Sequence, residues 1–382
     1  MIKIMEGTHA AAYGAKLCRP KVISAYPITP QTSIVEKLCE FVEKGELDAD
    51  FINVESEHSA LAVCIAAEGT GVRTFTATSS QGLALMHELV HWAGGARMPI
   101  VMVNVNRALA VPWSVKADQQ DSMSQRDTGW LQFYCETNQE VLDTVILAYR
   151  LSEMVQLPSM VCMDAFFTSH VSEALDIPDQ ASVDAFLPSY DPEVFLDITD
   201  PYNIWQSAVD QFMQYKYIQQ KAMEKSEQLF GDVAAQFKES FGRSHRAVKE
   251  YCCDDAEVVL VTTGSMSGTA RYVVDQYRQR GKKVGAVGIR RFRPFPTAEI
   301  REILTGRKRV IALDRNISFG QGGVAAMEVR NALHGVPDAP LVFGFVAGLG
   351  GADVTPDHMA KALEYAAVQE YDPRPRWLGV EL

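Results

Sequence analysis

Four short segments of this chain lie at the ends of apolar, strand-like runs and indicate how the chain folds. They are YPITPQT (residues 26–32), VESEH (54–58), TATSSQG (76–82) and VNVNRAL (103–109). Each carries a side chain suited to ligand chemistry, namely Thr29, Glu57, Ser79 and Arg107. Open parallel sheets bind ligands at the carboxyl ends of their strands. We therefore expect these four side chains to line one crevice.

The sequence around these segments alternates between strand-like and helix-like patterns. Apolar runs predict strands at residues 22–28, 51–55, 73–78, 99–105 and 159–164. Apolar residues at helical spacing predict helices at residues 31–45, 57–70, 81–95 and 138–155. Strands that alternate with helices indicate an α/β fold with a doubly wound parallel sheet.

The pattern changes after residue 170. Residues 171–202 are rich in Pro and Asp and predict a surface connection without regular structure. Residues 203–250 are polar, and their apolar residues at helical spacing predict an exposed helix or helix pair that bridges two domains; examples are Trp205, Val209, Phe212 and Met213. From residue 257 the alternation of strands and helices resumes and predicts a second, smaller α/β domain. The predicted parts are residues 1–170, 171–250 and 251–382.

Composition and charge limit the classes of function. Apolar residues make up 47% of the chain, and no apolar run approaches the roughly 18 residues that a membrane span needs. The start, MIKIMEGTHA, lacks the apolar stretch of a secretory signal. The net charge is −12, and the basic cluster at 290–293 adjoins no basic stripe, which argues against nucleic-acid binding. We expect neither a nucleic acid nor a membrane as a partner.

Charge also differs between the two parts of the chain. Residues 1–240 carry 16 Lys and Arg against 32 Asp and Glu, whereas residues 241–382 carry 20 against 16. The two parts are therefore expected to meet different partners.

The metal-binding residues form no recognisable motif. None of the seven cysteines belongs to a CxxC pair, so we expect no iron-sulfur cluster or structural zinc in this chain and a reducing, cytoplasmic location. His87 and His91 have a spacing that two metal ligands can use, but no third ligand is evident. The glycine-rich TTGSMSGTA (262–270) is not GxGxxG, and its glycines favour a tight turn over a phosphate site.

Several motifs together resemble one family. They are YPITPQT, ESEHSAL (55–61), TSSQGLALMHE (78–88), MPIVMVNVNRAL (98–109), QRDTGW (125–130), DAEVVLVTTGSMSGTAR (255–271) and RFRPFP (291–296). The chain resembles the alpha subunit of 2-oxoacid:ferredoxin oxidoreductases, most closely the separate-subunit pyruvate synthase type. The resemblance implies a thiamine pyrimidine-binding domain followed by a transketolase-C-like α/β domain.

The resemblance also implies a reaction and its partners. The complex would use thiamine diphosphate to decarboxylate a 2-oxoacid oxidatively, pass electrons to ferredoxin and form an acyl-CoA from coenzyme A. The family's diphosphate motif, GDG followed by a distant Asn, is absent from this chain. The diphosphate and Mg²⁺ would therefore lie with a partner subunit, as would the [4Fe-4S] clusters. The expected partners are the beta, gamma and delta subunits, and the chain alone should be inactive.

In that scheme Glu57 is the catalytic residue. Its carboxyl group would hydrogen-bond the pyrimidine ring of the coenzyme and favour the imino tautomer, whose nitrogen deprotonates the thiazolium carbon. Tyr26, Pro27, Ile28 and Ser79 would also contact the coenzyme. From the residues alone, Glu57 is equally well explained as a first-turn helix residue favoured by the helix dipole.

Thr29 and Arg107 are the substrate-binding candidates. By resemblance, Thr29 hydrogen-bonds the 2-oxoacid, although a helix N-cap explains a Thr-Pro pair too. Arg107 would hold the substrate carboxylate with two parallel hydrogen bonds, against the alternative of a surface ion pair. Because the two residues supply one cation, they favour a monocarboxylic 2-oxoacid. Pyruvate is the favoured substrate, and branched or aromatic 2-oxoacids are the alternatives.

The segment 108–130 resembles the family's active-site loop, with Asp118 and Asp121 as candidate site residues. Many relatives have a histidine after the first aspartate, where this chain has Gln119. We expect this difference to remove a titratable group from the edge of the pocket. An alternative from another class, a transketolase-like transferase without iron-sulfur partners, would need the diphosphate motif in the same chain.

Overall fold

The computed structural model describes residues 1–192, 194–197, 199 and 209–380. The predicted helical residue Trp205 lies outside them.

Strands are numbered in chain order. They are β1 (Ile2–Glu6), β2 (Val22–Ala25), β3 (Asp50–Asn53), β4 (Thr74–Thr78), β5 (Val101–Asn106), β6 (Leu131–Tyr134), β7 (Ser159–Asp164), β8 (Ser172–Asp176), β9 (Val248–Tyr251), β10 (Val258–Thr263), β11 (Val284–Ile289), β12 (Arg291–Arg293), β13 (Arg309–Asp314), β14 (Leu341–Val346) and β15 (Arg376–Trp377).

Helices are numbered in the same way. They are α1 (Gly7–Leu17), α2 (Thr32–Glu43), α3 (Glu57–Glu68), α4 (Ser80–Leu85), α5 (His87–Gly95), α6 (Gln120–Met123), α7 (Asn138–Val155), α8 (Gln180–Phe186), α9 (Phe212–Phe241), α10 (Met266–Gln279), α11 (Thr297–Leu304), α12 (Val324–Leu333) and α13 (Pro356–Val368). No helix within the described ranges has both the length and the hydropathy needed to cross a bilayer.

The first sheet has seven strands in the order β12-β6-β7-β5-β4-β2-β3. Strands β2 to β7 pair in parallel, and β12 is antiparallel to β6. The five strands predicted for this sheet are present, and helices cover both of its faces. The predicted doubly wound parallel sheet is therefore confirmed. The sequence patterns missed β1, α1 and β6, and the helix predicted at 81–95 is two helices, α4 and α5.

The second sheet has six strands in the order β15-β14-β13-β10-β11-β9. All of its pairings are parallel except that of β9 with β11. Strands β14 and β15 and helix α13 extend it beyond the predicted elements. Because β12 belongs to the first sheet, the chain returns to that sheet between β11 and α11.

Residues 171–202 were expected to lack regular structure, and this expectation is wrong for 172–186. Strand β8 pairs antiparallel with β1, with Glu6 opposite Ser172. Helix α8 follows, and the carboxylate of its N-cap Asp179 accepts a hydrogen bond from the Ser182 backbone N–H at 2.9 Å. The strand partner of β8 is about 170 residues away, so local periodicity could not indicate it.

Helix α9 is partly buried, which corrects the prediction of an exposed bridging helix. It packs on α7, and Phe230, Val233 and Phe237 join the main hydrophobic core there. Of the four residues used to predict its apolar stripe, the two that belong to α9, Phe212 and Met213, are 66% and 86% exposed. The apolar side that stabilises this helix therefore lies in its C-terminal half.

Candidate active site

The candidate site lies where the strand order of the first sheet reverses. The chain passes from β2 outward to β3 and then returns to β4 on the other side of β2. Open α/β sheets bind ligands in a crevice beyond the carboxyl ends of the strands at such a reversal, which here are β2 and β4. Thr29 follows β2, Ser79 follows β4 and Arg107 follows β5.

Glu57 is the first residue of α3. The hydroxyl of its N-cap, Ser56, accepts a hydrogen bond from the Ser59 backbone N–H at 3.2 Å and so begins the helix one residue before the carboxylate. The Glu57 side chain is only 7% exposed. No described residue donates a hydrogen bond to its carboxylate, whose two oxygens keep some access to solvent.

The Ser80–Gly82 turn, which is the first turn of α4 and follows β4 directly, lies against Glu57. A Cβ built on Gly82 would be 2.6 Å from Glu57 Oε1 and 2.5 Å from Thr78 Oγ1, so only glycine fits there. Ser79 Oγ donates to the Val105 carbonyl at 2.7 Å, and this commits the hydroxyl to the sheet. Ser80 has a positive φ of 51° and is held by its hydroxyl, which donates to the Ala108 carbonyl.

Arg107 and Thr29 meet at the same edge. Arg107 Nη1 donates to the Thr29 carbonyl at 2.7 Å, and Nε donates to the Ser114 carbonyl at 3.1 Å. Arg107 is 9% exposed, and burial lowers its pKa below the usual range. Nη2 and the exposed Thr29 hydroxyl have no described hydrogen-bond partner. Thr29 is not the helix cap, because α2 begins at Thr32 with Gln31 as its N-cap.

Tyr26, Pro27 and Ile28 form the chain between β2 and Thr29. Tyr26 is 38% exposed, Pro27 is exposed and Ile28 is half-buried. The backbone N–H of Ile28 donates to Gln31 Oε1 at 3.3 Å, and Gln31 Nε2 donates to the Ala77 carbonyl on β4 at 2.9 Å. This segment therefore borders the crevice and is tied to β4 through Gln31.

Asp121 is a buried anchor, 1% exposed, on the short helix α6. Its Oδ2 accepts from the Ser80 backbone N–H at 2.9 Å, the Arg107 backbone N–H at 3.1 Å and Asn104 Nδ2 at 3.1 Å. Its Oδ1 accepts from the Ser122 backbone N–H at 2.8 Å. Burial raises the pKa of Asp121 to about 7, although these four donors favour the ionised form.

Asp118 connects the loop to the second sheet. Its Oδ1 accepts from the Gln120 backbone N–H at 2.8 Å, and its Oδ2 accepts from the Gly350 backbone N–H at 3.0 Å in the loop after β14. Burial raises the pKa of Asp118 above the usual range. Ser114 Oγ donates to the Gly350 carbonyl at 3.1 Å, which adds a second link. Asp118 thus joins two loops and does not point into open solvent.

Gln119 lies between the two sheets, fully buried, and not at the edge of the pocket as expected. Its Nε2 donates to Asp164 Oδ1 at 3.0 Å, and its Oε1 accepts from Thr263 Oγ1 at 2.7 Å. Asp164 Oδ2 also accepts from the Ser265 backbone N–H at 3.0 Å. The strand order of the second sheet reverses at β10, and Gln119 and Asp164 fill the space at the end of this strand. The turn at Gly264 (φ 59°) therefore holds a carboxylate of the protein itself.

Two polar groups at the crevice, those of Thr78 and Asn106, were not singled out from the sequence. Thr78 Oγ1 and Asn106 Nδ2 are buried and have no hydrogen-bond partner among the described residues, and the same holds for Gln81 Nε2. Gln81 directly precedes Gly82, the glycine that contacts Glu57. The positions of Thr78 and Asn106 at the ends of two predicted strands were the available signal.

His87 and His91 contact a glutamine and each other. His87 Nδ1 lies 2.6 Å from Gln125 Oε1, and the His87 and His91 rings meet edge-to-face at 4.8 Å between centroids. No group of three or more His, Cys, Asp or Glu side chains suited to a metal ion occurs in the part of the chain that the structure describes.

Two family models match the chain. The model described as "Pyruvate flavodoxin/ferredoxin oxidoreductase, thiamine diP-bdg" matches residues 13–234, and "Pyruvate:ferredoxin oxidoreductase core domain II" matches residues 256–359. The chain belongs to the pyruvate:ferredoxin oxidoreductase family. It is the alpha subunit of a 2-oxoacid:ferredoxin oxidoreductase, as predicted from its motifs, and so a component of an enzyme.

Curated relatives in this family cover almost the whole chain. The pyruvate synthase subunit PorA of Methanothermobacter thermautotrophicus is 47% identical over 384 residues, which span 100% of this chain and 99% of the relative. The ketoisovalerate oxidoreductase subunit VorA of Pyrococcus horikoshii is 48% identical over 356 residues, which span 92% of this chain and 90% of the relative. Two relatives of almost equal similarity thus carry different substrate names.

Solved structures share the fold of this family member. A 2-oxoglutarate:ferredoxin oxidoreductase from Magnetococcus marinus matches with a TM-score of 0.69 and 19% identity, over 95% of this chain and 65% of that one. A split-gene transketolase matches with a TM-score of 0.52 and 14% identity, over 94% of this chain and 92% of that one. At such identities the likeness concerns the fold alone, and it confirms the predicted α/β class with a transketolase-like architecture.

Proposed function

We propose that this chain serves a complex that oxidatively decarboxylates a 2-oxoacid, with pyruvate as the favoured substrate, to an acyl-CoA and CO₂ while electrons pass to ferredoxin. One observation carries the proposal. Glu57 is 7% exposed, lies beside Gly82 at the switch point, and has no hydrogen-bond donor to its carboxylate among the described residues. A largely buried side chain whose carboxylate oxygens keep some solvent access fits a site that a ligand completes.

The crevice suits the aminopyrimidine half of thiamine diphosphate. Glu57 offers a carboxyl group to a ring nitrogen, and Gln81 Nε2 and Thr78 Oγ1 are buried polar atoms without a partner in the described part of the chain. When bound, thiamine diphosphate supplies the nucleophilic carbon that attacks the 2-oxo group and accepts the electrons left after CO₂ departs. Glu57 would hold and move the proton that activates this carbon. Ser79 would contribute backbone atoms, since its hydroxyl is committed to Val105.

The substrate carboxylate would bind between Arg107 and Thr29. Two guanidinium nitrogens of Arg107 hold backbone carbonyls, so the arginine is fixed before substrate arrives. Its Nη2 and the Thr29 hydroxyl remain for the substrate. This arrangement differs from the predicted grip by two parallel bonds, because Nε already donates to Ser114.

The remaining parts of the reaction are assigned to partner subunits. We propose that beta, gamma and delta subunits supply the diphosphate and Mg²⁺ site and the [4Fe-4S] clusters, and that coenzyme A binds in the assembled complex. Co-purification of brown subunits rich in CxxC motifs tests this assignment, and an active, colourless homodimer would contradict it. The cytoplasmic location predicted from the cysteines remains part of the proposal.

Pyruvate is expected to be the best substrate of the native complex. With coenzyme A and a viologen dye as acceptor, kcat/KM for pyruvate should exceed that for 2-oxoisovalerate by at least about tenfold, since one or two methyl groups in a pocket are worth that much. Steady-state assays over a panel that includes phenylglyoxylate and 2-oxoglutarate measure this ratio. A preference for 2-oxoisovalerate would reassign the substrate, and no turnover of any 2-oxoacid would overturn the function.

The Thr29 hydroxyl should have a modest effect of its own. Thr29→Val keeps the shape but removes one neutral hydrogen bond, so kcat/KM for pyruvate should fall about fivefold. Thr29→Ser keeps the hydroxyl, so its kcat/KM for pyruvate should lie between that of Thr29→Val and that of the wild type. Unchanged kinetics in Thr29→Val would remove this side chain from substrate binding.

A further inference from the structure

Both halves of the crevice depend on the placement of short backbone segments. The Ser80–Gly82 turn contacts Glu57 through Gly82. The guanidinium of Arg107 extends from the end of β5 to the Thr29 carbonyl. A displacement of either segment would move a functional group without removing it.

A single carboxylate oxygen joins these two segments. Asp121 Oδ2 accepts the backbone N–H of Ser80 at 2.9 Å and the backbone N–H of Arg107 at 3.1 Å. The Asn104 amide also donates to it at 3.1 Å, so this oxygen has two donors from β5 and its end and one from the turn after β4. The backbone N–H of Ser122 holds the other oxygen at 2.8 Å, which fixes the carboxylate plane.

The turn needs such an anchor. Ser80 has a φ of 51°, in the left-handed region that non-glycine residues adopt at a cost. Its N–H points at Asp121, and its hydroxyl donates to the Ala108 carbonyl. Without the carboxylate, the Ser80 N–H would be buried and unpaired, and the turn would relax toward an ordinary conformation.

We propose that Asp121 is a positioning residue for the reaction, which sets the distance between the Glu57 end and the Arg107 end of the crevice. The inference rests on the proposed function. Asp121 is 1% exposed and its two oxygens already accept four protein donors, so we assign it no contact with the substrate or the coenzyme. It acts through the Ser80–Gly82 turn and through Arg107.

A matched control exists at the other end of β4. Glu68 is also a buried carboxylate that accepts a backbone N–H, that of Thr74 at 3.1 Å, together with the Thr74 hydroxyl at 2.7 Å. Glu68 anchors Thr74, the first residue of β4, whereas Asp121 anchors the Ser80–Gly82 turn, which follows the last residue of β4. Removal of Glu68 should cost stability without moving Glu57 or Arg107.

The test compares Asp121→Ala, Asp121→Asn and Glu68→Ala in the native complex. In Asp121→Ala, KM for pyruvate should rise at least about tenfold, below the hundredfold effect that a full ångström of displacement can have. Asp121→Asn keeps one oxygen that can accept the Ser80 and Arg107 N–H groups, so its KM should rise less than that of Asp121→Ala. Glu68→Ala should lower the melting temperature and leave KM close to that of the wild type.

Amide hydrogen exchange gives a readout that does not depend on turnover. The Ser80 and Arg107 amides should exchange faster in Asp121→Ala than in the wild type, and those in Glu68→Ala should not. Wild-type KM and unchanged exchange in Asp121→Ala would overturn the inference, as would an equal KM change in Glu68→Ala. If Asp121→Ala does not assemble, the KM for pyruvate and the amide exchange of Asp121→Asn test the inference in the same way. A wild-type complex that turns over no 2-oxoacid would instead overturn the proposed function.

Discussion

Replacement of Glu57 by Gln should lower the turnover of the native complex by at least about a hundredfold, the lower range for loss of a positioned acid or base. The amide has nearly the same shape and can hydrogen-bond, but it cannot give up and regain a proton. Because no described residue donates a hydrogen bond to the carboxylate, we expect little change in stability. Steady-state assays with pyruvate, coenzyme A and a viologen dye measure the loss.

Glu55→Gln is the matched control for this prediction. Glu55 lies two residues before Glu57, is exposed, and holds the Ser59 hydroxyl near the start of α3. The same change there should leave turnover close to that of the wild type. Equal losses in the two variants would indicate a general effect on α3, and near-normal turnover in Glu57→Gln would remove Glu57 from the mechanism.

Replacement of Gly82 by Ala should also lower turnover by about a hundredfold, because the new methyl group must displace Glu57. A Cβ at this position would be 2.6 Å from Glu57 Oε1 and 2.8 Å from Glu57 Cγ, well inside contact distance. Thr78 Oγ1 blocks the other side at 2.5 Å. A displacement of about 1 Å at a reacting group can reduce the rate about a hundredfold. Activity assays together with thiamine diphosphate content measure the effect.

Gly231→Ala provides the control for a glycine change as such. Gly231 lies within α9, and a Cβ built there meets nothing within 4 Å. Alanine should stabilise the helix by about 1 kcal/mol and leave turnover unchanged. If Gly82→Ala is as active as Gly231→Ala, the close contact with Glu57 has no role in catalysis.

The location of the crevice could be predicted from sequence because it depends on local order. Alternation of strands and helices sends the loops after β2, β3, β4 and β5 to one edge of the sheet. Thr29, Glu57, Ser79 and Arg107 accordingly lie at that edge. Their roles, like the predicted domain limits at 170 and 250, stay predictions.

The hydrogen bonds inside the crevice could not be predicted in this way. Asp121 was expected in a loop that faces substrate, yet it is buried by donors on β5 and the turn after β4. Gln119 was expected at the edge of the pocket, yet its partners are Asp164 and Thr263, which come from two different sheets. Such contacts depend on how the two sheets pack, which no local pattern records.

The role of Glu57 is tested most directly by the rate at which the hydrogen on the thiazolium carbon of bound thiamine diphosphate exchanges with deuterium. The exchange needs no 2-oxoacid, so it isolates the proton transfer assigned to this carboxyl group. At equal coenzyme content, the Glu57→Gln complex should exchange at least about a hundredfold more slowly than the wild type. Equal exchange rates in the two complexes would contradict the role proposed for Glu57.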